Sequence, residues 1–137
     1  LIVEILEEYT TIRFVDETGG QAGQTGQWAP AWLPRGYELT EYNNEGVGPL
    51  SIYTNNNGNV IFFQCTSSAT ITSFNNEHHE EMDVWINDCP GYLLRAVEPG
   101  YQSSLTWYDQ ASGTAFSLLA ELSPEELIRI AESVQKN

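Results

Sequence analysis

LTWYDQASGTAFSLLAELSPEELIRIAESVQKN, residues Leu105 to Asn137, decides the fold. Leu105–Asp109 and Ala115–Ala120 are two short apolar-rich runs separated by Gln-Ala-Ser-Gly-Thr, the spacing of a β-hairpin. Ser123-Pro124-Glu125-Glu126 then announces a helix. Ser123 serves as N-cap, Pro124 occupies the first helical position where no N–H is missed, and Glu126 completes a capping box. Leu127, Ile130, Ala131 and Val134 recur at helical spacing and give one apolar face. The stretch is architecture, with no reactive group in it: a hairpin that needs cover and a helix able to supply it.

Working outward, the chain reads as strands between turn clusters. Tyr37–Tyr42, Leu50–Thr54, Val60–Thr66, Ala69–Phe74, Met82–Asn87 and Tyr92–Val97 are the strand candidates. Asn55-Asn56-Asn57-Gly58-Asn59 is a hairpin signal, because Asn and Gly tolerate positive φ. Asp88-Cys89-Pro90-Gly91 reads as a tight turn. Alternation places Arg95 outward and Tyr92, Leu94 and Ala96 inward. At the start, Ile2, Ile5, Leu6 and Tyr9 favour a short helix, with one continuous strand into Thr10–Val15 as the alternative. Asp16–Gln27 is a Gly/Gln-rich loop. The expected class is α+β: a curved antiparallel meander of about 6–8 strands, one face covered by the C-terminal helix. A single domain spans 1–137, with residues 1–29 as an N-terminal helix or strand and loop, and 30–137 as the sheet-plus-helix module.

Composition narrows the function. Five basic and 19 acidic residues give a net charge of −14, and the isoelectric point is near 4.1. Such a surface repels phosphate backbones and anionic headgroups, so nucleic acid is excluded as a partner. The charge serves solubility or attracts cations, a basic peptide or cationic cell-wall material. No stretch approaches the ~20 apolar residues of a membrane span. The chain opens on Leu1, which reads as a processed or trimmed form lacking a signal peptide or anchor, although a cloning boundary would look the same. Cys65 and Cys89 are the only cysteines. In an oxidising compartment a bridge between them would contribute about 3 kcal/mol, and two buried thiols are the alternative.

Few residues suggest a site. Glu77-His78-His79-Glu80-Glu81 with Asp83 is the one cluster with metal-binding or acid–base chemistry, His78, His79 and Glu81 being the candidate ligands. Neighbouring strand residues point to opposite faces and no HExxH spacing is present, so a solvated acidic connection is the competing reading. Ser67-Ser68 and Ser103-Ser104 lack a nucleophile-elbow context, and the glycine run 19–26 lacks the lysine of a phosphate loop. Trp28, Trp32 and Trp85 are the candidate ligand-binding aromatics if the sheet face away from the helix is open, and core or sheet-covering residues if it is not. No cofactor motif appears, and no catalytic residue is assigned.

Trp32-Leu33-Pro34-Arg35-Gly36-Tyr37-Glu38-Leu39 resembles the "(W/Y)-L-P-x-G-(Y/F)-x-L" opening of a domain of unknown function from Gram-positive bacteria. Ile61-Phe62-Phe63-Gln64, Gly91-Tyr92 and Leu105-Thr106-Trp107 resemble its later landmarks, and Leu122 through Val134 its "L-S-x-E-E-L-I-x-I-A-E-S-(V/I)" helix. The resemblance implies an extracytoplasmic, C-terminal part of a membrane protein or lipoprotein, anti-sigma-factor-like in some members, with no catalytic residues to carry over. The expectation is a non-enzymatic sensor or interaction domain for a protein or peptide partner, touching the membrane only through an anchor outside this sequence. The alternative is a carrier holding a small amphiphile or peptide in the concave face of the sheet, an analogy of fold alone.

Overall fold

Runs of β-branched and aromatic residues between turn clusters become strands in the computed structural model, which describes residues 2–6, 9–13, 28–43, 49–66, 70–75 and 78–136. In chain order the elements are β1 (Ile2–Leu6), β2 (Tyr9–Arg13), β3 (Trp28–Pro30), β4 (Glu38–Asn43), β5 (Leu50–Thr54), β6 (Val60–Thr66), β7 (Thr70–Asn75), β8 (His79–Ile86), β9 (Cys89–Ala96), β10 (Ser103–Asp109), β11 (Thr114–Ala120), α1 (Pro124–Glu132) and β12 (Val134–Lys136). The loop expected over Asp16–Gln27, Ser67-Ser68 and Glu77 lie outside the described residues. The expected N-terminal helix is replaced by β1, which pairs with β2 from Leu6↔Tyr9 to Ile2↔Arg13. Ile2, Val3 and Ile5 are β-branched, and a paired strand suits them better than an isolated short helix.

The antiparallel sheet and its C-terminal helix are as expected. Seven strands run in the order β4-β5-β6-β11-β10-β9-β8, while β1-β2-β7 and β12-β3 form separate small sheets. The large sheet is therefore two meanders joined where β6 pairs antiparallel with β11 (Phe63↔Leu118, Cys65↔Phe116). The β8–β9 turn is Asn87-Asp88 rather than 88–91. Both residues sit at positive φ, 48° and 69°, as a two-residue hairpin turn requires. Cys89, Pro90 and Gly91 belong to β9, and β10 pairs with β9 only as far as Gly91, so the missing N–H of Pro90 interrupts no central ladder. A Cβ on Gly91 would stand 3.0 Å from the Thr106 carbonyl oxygen and 3.1 Å from Val84 Cγ2, so the strands close here over a glycine.

The helix-facing side carries the core: Tyr53, Ile61, Phe63, Leu93, Leu105, Trp107, Phe116 and Leu118 pack against Leu127, Ile130 and Ala131 of α1. The inward residue on β9 is thus Leu93, not Tyr92 and Leu94. Those two are also buried, together with Ser104, Thr106, Tyr108 and Ala115. The centre of the sheet is closed on both faces, which removes the open aromatic platform considered above.

The helix begins as its sequence requires. Ser123 Oγ accepts from Glu126 N at 3.2 Å and donates to the Glu126 carboxylate, a cap that contributes about 1 kcal/mol. Leu127 and Ile130 are sealed from solvent, each contributing roughly 1.5–3 kcal/mol. The helix ends at Glu132, so Val134 lies in β12 rather than on the helical face. Ser133 closes it: its Oγ donates to Ile130 O at 2.7 Å and accepts from Trp32 N at 3.0 Å.

Cys65 and Cys89 are both free thiols. Cys65 is on β6 and Cys89 on β9, three places apart in the sheet order. Three strand spacings are about 14 Å, twice the Cα separation a disulfide can span. The possible bridge is thereby corrected. Burial alone pushes the Cys65 thiol up to about 11, which leaves it protonated and a poor nucleophile at neutral pH.

Candidate functional site

β8 is the last strand of the large sheet, and the loop after β9 folds back on its first residues. Val97 N donates to His78 O at 3.0 Å, at a residue whose φ of 65° is uncommon outside glycine. His78 stacks on Tyr101 with ring centroids 4.5 Å apart, and His79 meets the same ring edge-on. His79 Nε2 lies 2.7 Å from Gln102 O, and His78 Nδ1 lies 3.4 Å from Glu98 Oε1. The two histidines therefore clasp the 97–102 segment to the sheet.

Glu81, the third proposed ligand, faces the Tyr92 phenol, which burial first and the Glu81 and Asp83 carboxylates next push far above its ordinary value. Among the described residues no group of three or more His, Cys, Asp or Glu side chains converges as a metal site. His78 and Glu98 form a partly exposed imidazole–carboxylate pair at 3.4 Å.

Between that clasped segment and the start of α1 lies a groove of about 460 Å³. Val97, Tyr101, Leu122 and Pro124 give it apolar lining, and Glu98, Glu121 and Glu126 bring three carboxylates to it. Gly100 N donates to Glu121 Oε1 at 3.1 Å, which holds the loop against the strand end that leads into the helix. Gly100 takes a φ of 90° to make that approach, a conformation other residues rarely adopt. Arg95 is the single basic side chain lining the groove, and it is paired with Glu80 on β8. Glu126 and Glu121 reach far enough to raise the Tyr37 phenol after its burial has done so.

In sequence, Glu98-Pro99-Gly100 is only a Pro-Gly turn leading to the closing hairpin. The available signal was a turn flanked by Val97 and Tyr101, two large apolar residues that a plain solvent loop does not need.

The three candidate tryptophans are not brought together. Trp28 packs edge-on against Phe116 at 5.1 Å, and Trp32 lies under the Arg129 guanidinium at 4.1 Å. Trp28, on β3, and Trp32, just beyond it, are both partly buried against the core. A cavity of about 220 Å³ opens there beside Trp28, Cys89, Trp107, Asp109 and Phe116. Trp107 and Phe116 are almost wholly buried, so they offer a ligand little surface. Asp109 is engaged by Ala111 N and Ser112 Oγ. Trp85 alone stands out, 69 % exposed on the edge strand.

No helix among the described residues is long and apolar enough to cross a membrane. Comparison with curated proteins and with solved structures gives no match. A family model, by contrast, matches most of the chain, from the strand that carries Trp28 to the end of the capped helix. Residues 27–134 match the domain of unknown function DUF4367, and the chain belongs to that family.

Proposed function

We propose that this chain is a non-enzymatic interaction domain that binds a protein or peptide partner through the β8 end of its sheet. One observation carries the reading. Of the six exposed large apolar residues among the described ones, Met82, Trp85, Val97 and Tyr101 lie on β8 or on the segment clasped to it. Leu39 and Tyr42, the remaining pair, lie on β4 at the other edge. Val97 and Tyr101 line the groove, Met82 and Trp85 extend the apolar surface along β8, and exposed apolar side chains at a sheet edge are a common mark of partner binding.

Placement outside the cytoplasm, on an anchored sensor or regulator, rests on the resemblance of 32–39 and 122–134 to domains at the outer end of Gram-positive membrane proteins. The carrier alternative needs an apolar chamber between sheet and helix. Phe63, Phe116, Leu118, Leu127 and Ile130 fill that space.

A photo-crosslinking residue placed at 85, 97 or 101 of the full gene product, expressed in its native cells, tests the reading. Discrete adducts with a protein are expected at one or more of these positions, with none from position 41 on β4. Protease added outside intact cells should remove the domain. Crosslinks from none of the three positions would sink the interaction reading, and protection from external protease would sink the placement.

A further inference from the structure

The groove between the 97–101 segment and the start of α1 has a chemistry that selects among partners. Its three glutamates are held rather than loose. Glu121 is fixed by Gly100 N, Glu126 by Ser123 Oγ, and Glu98 lies beside His78 Nδ1. Carboxylates already oriented lose little side-chain freedom on binding, so a ligand meets them at low entropic cost. The single basic residue lining the groove, Arg95, is paired with Glu80 on β8. The apolar part of the lining is Val97 and Tyr101, 46 % and 41 % exposed, with Leu122 and Pro124 at the start of the helix.

We propose that this groove docks a cationic segment of a partner protein, its lysine or arginine side chains meeting Glu98, Glu121 and Glu126 while a neighbouring apolar side chain rests on Val97 and Tyr101; this rests on the interaction-domain reading above. Charge complementarity identifies the occupant. A chain with 19 acidic and 5 basic residues draws cationic partners from a distance. The groove is where that field meets apolar surface. An anionic or purely polar partner would satisfy neither, and a polycationic glycan would leave the apolar lining without a mate.

The test is fluorescence anisotropy with a labelled peptide, Gly-Lys-Leu-Lys-Gly-Lys-Gly, against its glutamate counterpart and a chitosan oligomer. The lysine peptide binds, its affinity falls with added salt, and the glutamate peptide does not bind. The double variant Glu98→Lys/Glu121→Lys weakens binding by about tenfold or more. Glu41→Lys/Glu132→Lys makes the same change in net charge away from the groove and weakens it by less than about twofold. Glu98→Gln/Glu121→Gln weakens it by an intermediate amount, and Val97→Asn by a few-fold, guarding against misfolding of the reversed-charge protein.

Equal losses in the two double variants would overturn the groove in favour of general charge attraction, and tighter binding of chitosan would overturn the protein partner. Crosslinks from position 85 in cells together with no peptide binding would overturn this inference while leaving the interaction domain standing. Peptide binding with no crosslinks anywhere would overturn the interaction domain, and with it the partner protein as occupant of a groove that does take cations.

Discussion

The closing hairpin with its helix and the β8 edge with its clasped loop use the same kinds of residue to opposite ends. On β10, β11 and α1, Leu105, Phe116, Leu118, Leu127 and Ile130 touch one another and are closed to solvent. On β8 and 97–101, Met82, Trp85, Val97 and Tyr101 face water. Side-chain type does not separate the two groups; place in the sheet order does. β10 and β11 each have a strand on both sides, and β8 has one neighbour, β9. An interior strand has a neighbour on each side and shuts from solvent the apolar residues on its covered faces, whereas an edge leaves even a tryptophan exposed unless something covers it. Glu80, Glu81 and Asp83 flank Met82 on β8, and charge of that kind discourages indiscriminate edge pairing while leaving a selected partner room to bind.

The contrast is broken most forcefully at Phe116, whose ring lies against those of Trp28, Phe63 and Trp107. Phe116→Ala is expected to cost about 3–5 kcal/mol in urea unfolding. A loss under about 1 kcal/mol would mean the interior is loosely packed and little different from the edge.

Alkaline pH comes next. Burial raises Cys65 from 9.0 to about 11, and it is the largest cause of the rise at Tyr53 and Cys89. A raised native value means the unfolded chain gives up its proton first. Stability is therefore complete below about pH 9 and falls as the pH climbs through about 11. Cys65 alone accounts for about 2–3 kcal/mol of that fall. Urea midpoints that stay level between about pH 8 and about pH 10.5 would show that these groups already reach water. Ser123→Ala, at the start of the helix, should remove about 1 kcal/mol. No measurable loss of thermal stability would mean the helix is held by packing alone.

These regions also differ in how far the sequence disclosed them. The hairpin over 105–120 and the capped start at Ser123 depend on local pattern, and local pattern was enough. Nothing local could announce that β6 pairs with β11, because that contact joins segments about fifty residues apart in the chain. The faces of β9 were misread because Tyr92, Leu93 and Leu94 are all buried; a strand covered on both sides has no alternation to read. Cys-Pro-Gly outweighed Asn87-Asp88 as a turn signal, since only the backbone shows positive φ at those two residues. The groove was the least legible. Its walls come from a turn, a strand end and a helix cap distant in sequence, and none of its residues belongs to a recognised chemical motif. His78 and His79 drew notice for metal chemistry, yet their rings serve to hold Tyr101.

Trp85 should give the smallest stability effect of all, and for that reason it sharpens the comparison most. Its indole is 69 % exposed and sits across the hairpin from Pro90, so truncation removes little buried area. Trp85→Ala is expected to change unfolding free energy by no more than about 0.5 kcal/mol, the range of ordinary surface substitutions. Phe116, an aromatic of similar bulk, would lose several times more. If the same variant also removes the crosslinks formed at 97 or 101 in cells, a side chain with almost no part in folding has a part in binding. Should Trp85→Ala instead destabilise the chain by more than about 1 kcal/mol, the tryptophan would be cover for the sheet, and the edge would differ from the interior only in degree.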